Sequence, residues 1–158
     1  MITFVVPYGQ FIDICGHPLD YEPTGARAAL RACWPEFLSE YRTDVDEFFD
    51  ELVAIRSPSE SLIRVVDHYQ TAWQRLNNLG AYGVVRPFWQ DMNDMIHDAA
   101  AGHGIPVANA YDALNGPQGQ TDGVAAGYVY ADQLHLTGEG ARLLAGMLAD
   151  LGYEPAAG

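Results

Sequence analysis

Lysine is absent from this sequence, and eight arginines stand against 21 acidic residues, for a formal charge of -13. A chain so charged repels phosphate backbones and anionic lipid headgroups, and it lacks the basic stripe with which nucleic-acid binders displace counterions. Nucleic acid is therefore not expected as a partner. No apolar run approaches the roughly 20 residues that cross a bilayer, so no membrane span is expected either. Serine is scarce: Ser39, Ser57, Ser59 and Ser61 are the only four. None lies at a sharp strand-to-helix turn, the setting that exposes an activated hydroxyl. Cysteine is limited to Cys15 and Cys33. Their spacing fits no zinc motif, and they either staple the Gly/Pro-containing stretch between them or remain two unrelated buried thiols. Met1 leads into Ile2-Thr3-Phe4-Val5-Val6 without a basic region, a longer apolar core or a small-residue cleavage site, so no signal peptide is visible.

What is present suits one domain. The 158 residues are 49% hydrophobic and 18% charged, which excludes disorder and allows about two-thirds of the unfolded surface to be buried. Ile2 to Val6 reads as a short buried strand, ended by Pro7 and Gly9. From Phe11 to Arg42 the proline, glycine and aromatic content predicts an irregular connection with at most a helical turn or two. Thr43 is a suitable N-cap for a helix carrying Val45, Phe48, Phe49, Leu52 and Val53 on one face and ending near Arg56. Leu62 to Val66 reads as a second buried strand. A helical stripe follows at Phe88, Trp89, Met92, Met95, Ile96 and Ala99, then a third strand at Ile105 to Asn109. Thr137 caps a last helix with Gly152 just past its end. Strand and helix alternate, which predicts a parallel sheet with helices on both sides.

The chemistry concentrates in Asp132-Gln133-Leu134-His135-Leu136-Thr137-Gly138-Glu139-Gly140. An acid and an imidazole three residues apart, just before a capped helix, can meet within one turn of chain. The carboxylate then fixes the imidazole tautomer through Nδ1 and leaves Nε2 free to take a proton. Elsewhere, Asp67-His68 falls at the carboxyl end of a strand, where open α/β sheets place their sites. His97 and His103, on or just after a helix, read as solvated. Trp73 also follows a strand end and can form a substrate wall.

The block from Ala131 to Tyr153 resembles the last catalytic block of SGNH (GDSL-type) esterases. The Ser57-Pro58 break leading to a strand and Tyr69, and the Asn93-containing helix before Gly104-Ile105-Pro106-Val107, resemble later elements of that family. The likeness runs from Thr43 to Tyr153. It implies a three-layer α/β/α architecture with a flavodoxin-like parallel sheet lacking its first strands, needing no cofactor or metal. It implies Asp132 and His135 as acid and base of a Ser-His-Asp triad, a small ester or acylated substrate, and a secreted protein. The family's Gly-Asp-Ser block is not found here. Aligning Thr3 to Phe11 with the family's Gly-x-Asn-Asp block puts Gly9 in place of the oxyanion asparagine, leaving the Gly9 N–H or the Gln10 amide to serve. A missing donor of this kind lowers rates about 10²–10³-fold.

Two rivals stand beside the esterase: a non-catalytic binding module on the same scaffold, and a metal-dependent hydrolase using Asp132, His135 and His68. If the first strands are lacking, Ile2 to Val6 becomes a sheet edge. Either the segment from Phe11 to Tyr41 covers it or a second copy pairs across it, and a homodimer is the expectation.

Overall fold

The computed structural model describes residues 2–3, 8–16 and 26–155. The elements run β1 (Ile2–Thr3), α1 (Tyr8–Cys15), α2 (Ala26–Ile55), β2 (Val65–Val66), α3 (Trp73–Asn78), α4 (Tyr82–Gly102), β3 (Val107–Ala108), α5 (Ala110–Asn115) and α6 (Gly138–Asp150). The expected second half of β1, Phe4 to Val6, lies outside the described residues.

The expected three-layer α/β/α architecture is corrected. The protein is mostly helical, and each described strand is two residues long. They pair in parallel in the order β1-β2-β3, with Ile2 opposite Val65 and Val65 opposite Val107. Such a seam does not make a layer. The apolar runs Leu62–Val66 and Ile105–Asn109 are burial signals, and burial alone does not create a ladder; only Val65–Val66 and Val107–Ala108 find partners on a neighbouring strand.

Helix α2 is the largest departure from expectation, occupying much of the stretch read as irregular. Leu30, Trp34, Phe37, Tyr41, Val45 and Phe49 recur every three or four residues and all are buried. Pro35 lies inside the helix, where it costs about 3 kcal/mol. Each large apolar side chain fully buried returns about 1.5–3 kcal/mol, so the stripe outweighs the proline. Thr43 does not start this helix; its Oγ1 donates to Ser39 O one turn back, at 3.1 Å.

Two cores flank the seam. Val65 joins Phe37, Phe49, Met92 and Ile96 between α2 and α4, whereas Val66 joins Ala108, Leu114 and Leu144 beside α5 and α6. Successive strand residues point to opposite faces, so two residues of β2 tie both cores together. Cys15 and Cys33 form a disulfide, fastening α1 to α2 with Cα atoms 5.2 Å apart. Arg64, the one charge in the second apolar run, is buried. Its guanidinium donates to the carbonyls of Leu151, Gly152 and Glu154 at 2.7–3.2 Å, satisfying carbonyls at the end of α6 that have no helical partner.

Candidate active site

Before α6 the chain makes a tight antiparallel hairpin. Val129 bridges Leu136, Tyr130 N donates to His135 O, and Thr137 N donates to Tyr128 O, both at 2.9 Å. At its tip, Asp132 Oδ1 accepts the backbone N–H groups of Leu134 and His135 at 3.0 and 3.1 Å. Asp132 Oδ2 meets His135 Nδ1 at 2.9 Å. A carboxylate only accepts, so Nδ1 carries the proton of this bond, and Nε2 has no hydrogen-bond partner among the described residues. The His135 bond first, and then the two backbone donors, pull the Asp132 carboxyl down to about 2.

The rest of the motif holds this turn against the helix. Thr137 Oγ1 accepts Gly140 N at 3.1 Å and donates to Gly127 O at 2.6 Å, capping α6 while holding the chain entering the hairpin. A Cβ at Gly140 would stand 2.2 Å from Tyr128 O. Glycine is required where α6 and hairpin touch.

The dyad is solvent-facing, with side-chain exposures of 70% for His135 and 50% for Asp132. Tyr130 and Leu134 beside it are exposed too. None of the four serines is hydrogen-bonded to His135; Ser57 Oγ and Ser59 Oγ bond each other at 2.7 Å beyond the end of α2. Gly9 and Gln10 fall within α1, not in a loop after a strand. The Gln10 amide donates to Asp44 of α2 at 3.2 Å. Among the described residues no hydrogen bond joins either to the dyad.

His68 and Trp73 are half-buried and bonded within the fold. His68 packs against Trp89 with ring centroids 4.7 Å apart and planes tilted by 49°, and desolvation pushes its imidazole down to about 4 against the opposing pull of Asp67. Trp73 packs on Tyr82 and donates its indole N–H to Gly119 O at 3.1 Å.

The sequence reading missed what holds the chain after β2. Asn93 of α4 accepts His68 N at 2.9 Å and donates to His68 O at 3.0 Å. Asn115 of α5 does the same for Gln70, at 2.7 and 2.9 Å. Two buried amides thus extend the ladder that β2 lacks. The signal was present for Asn93, a polar residue among the apolar Met92, Met95 and Ile96.

Also missed was a second acid-imidazole pair. Asp67 is 1% exposed, accepts Tyr111 N at 3.0 Å and meets His97 Nε2 at 3.0 Å. It borders an open cavity of about 810 Å³ lined also by Asn93, His97, Asn109 and Asp112. His97, expected to be solvated, is held by this bond. Among the described residues no three His, Cys, Asp or Glu side chains converge as metal ligands, and no helix is long and apolar enough to cross a membrane.

What the geometry defines is an oriented acid-base dyad on a capped helix entry. Comparison with known proteins adds no relative: no family model, curated protein or solved structure matches the chain.

Proposed function

We propose that this chain carries the acid-base half of a serine ester hydrolase similar to the SGNH esterases. The observation behind the reading is the Asp132–His135 bond, which leaves Nε2 as the unpaired basic atom. His135 Nε2 takes the proton of an attacking hydroxyl, Asp132 stabilises the imidazolium so formed, and the same proton passes to the departing alcohol. The substrate in this reading is a small ester or acylated molecule, and the net charge of -13 disfavours nucleic acid. β1 ends the order of the described strands, and pairing of a second copy there belongs to the same proposal.

The reading needs a nucleophile that is not among Ser39, Ser57, Ser59 and Ser61. The 158-residue chain alone is then expected to give no turnover of p-nitrophenyl acetate. The chain expressed with any coding sequence found in frame upstream of Met1 is expected to hydrolyse that ester and to lose the activity on His135→Ala. Activity indifferent to that substitution overturns the assignment. Inactivity of both forms favours the second reading, a binding module, for which the engagement of Gln10 with Asp44 is the supporting observation.

A further inference from the structure

Gln133 sits between the two dyad residues and is the one described non-glycine residue with a positive φ, 55°. That region of backbone space suits glycine and disfavours a side chain with a Cβ. A glutamine there needs a compensating contact, and it has one. Its Oε1 accepts the backbone N–H of Arg75 at 2.8 Å, reaching across 58 residues of sequence.

Arg75 is the third residue of α3, so its N–H has no partner within the helix. Ala72 at the N-cap supplies no side-chain bond. Gln133 therefore caps α3 from outside. It is also half-buried in a turn whose residues Asp132, Leu134 and His135 are exposed.

Helix α3 is in turn tied to the buried scaffold. Gln70, clipped by Asn115, accepts Ala72 N through its own Oε1 at 2.8 Å. Trp73 binds Gly119 O, and Gln74 Nε2 donates to Asp122 at 3.3 Å. A continuous line of hydrogen bonds thus runs from buried Asn115 through Gln70 and α3 to the tip of an otherwise solvent-facing turn.

We infer that Gln133 is the positioning residue of the dyad, its side chain fixing the Asp132–His135 turn to α3 so that His135 presents one orientation. The role rests on the proposed acid-base reading, but the clamp can be measured without any ester. The discriminating variants are Gln133→Asn, which tolerates positive φ but is one methylene too short, and Gln133→Glu, which keeps reach and acceptor.

NMR of the 158-residue chain reads the result. In Gln133→Asn, the Arg75 amide is expected to exchange with solvent at least ~10-fold faster. The Asp132 titration midpoint is expected to rise by about one pH unit as its bond to His135 becomes part-time. The melting temperature and helix content stay near those of the parent chain, and Gln133→Glu restores both NMR signatures. Unchanged Arg75 exchange and an unchanged Asp132 midpoint in Gln133→Asn overturn the inference. A melting temperature that falls together with both signals, without recovery in Gln133→Glu, shows a structural residue only and overturns it as well. Esterase failure with the NMR result as expected removes the hydrolase reading and leaves the clamp standing.

Discussion

Asp67 and His97 join the carboxyl end of β2 to the middle of α4 through one 3.0 Å contact, and the same carboxylate holds the first turn of α5 through Tyr111 N. Three elements therefore converge on a single buried acid.

That convergence makes stability depend on pH. The Asp67 bond raises the His97 imidazole above its ordinary value, outweighing desolvation, with Asp94 and Asp112 adding to the rise. A group whose pKa is raised by folding contributes stability that is complete below its unfolded pKa, roughly 6.5. The contribution fades as pH climbs through the folded value. Melting temperatures from pH 5 to 9 are expected to fall faster above neutrality in the parent than in His97→Asn. His103 shifts in the same direction, through Ala99 O and Asp50, so the difference between the two proteins is the quantity to follow. Parallel curves would dismiss the coupling.

Asn115 carries both the N–H and the C=O of buried Gln70. Leaving a buried polar group unpaired costs about 1–3 kcal/mol, so Asn115→Ala is expected to lower unfolding stability by roughly 2–5 kcal/mol. Urea denaturation checks this. A loss under ~0.5 kcal/mol would mean that Gln70 finds other partners.

Gly140 and Gly146, two of the three glycines of α6, separate close approach from helix propensity. Gly140→Ala drives a Cβ against Tyr128 O and is expected to destabilise by about 1–3 kcal/mol, disturbing the Thr137 cap and the dyad turn with it. Gly146→Ala meets nothing within 4 Å and is expected to stabilise by up to ~1 kcal/mol. Equal effects in denaturant titrations would refute the distinction.

What could be read from the sequence depended on how far each contact reaches. Asp132, His135, Thr137 and Gly140 interact almost wholly within one turn and its adjoining helix, so their spacing carries their geometry. The beginning and end of α6 were legible for the same reason. Helix α2 was not, because Pro35 and the glycines before it are local signals for irregular chain, while the stripe from Leu30 to Phe49 acts only once α4 is there to cover it. Asp67 and His97 are 30 residues apart, and nothing in either neighbourhood announces the other. Gln133 was overlooked within the motif itself, since its partner is a backbone N–H and no side-chain pattern records that.

Arg64 bears on the order in which the protein assembles. Its acceptors lie 87, 88 and 90 residues further along the chain, and contacts so distant in sequence must wait for intervening elements to be in place. The α2–α4 core draws on residues up to Ile105 and can begin to form during synthesis. The core around Val66 and Leu144 cannot close on Arg64 until residues 151–154 have left the ribosome. Until then a guanidinium destined for burial remains in water, so the fixing of Arg64 waits on the chain that follows α6.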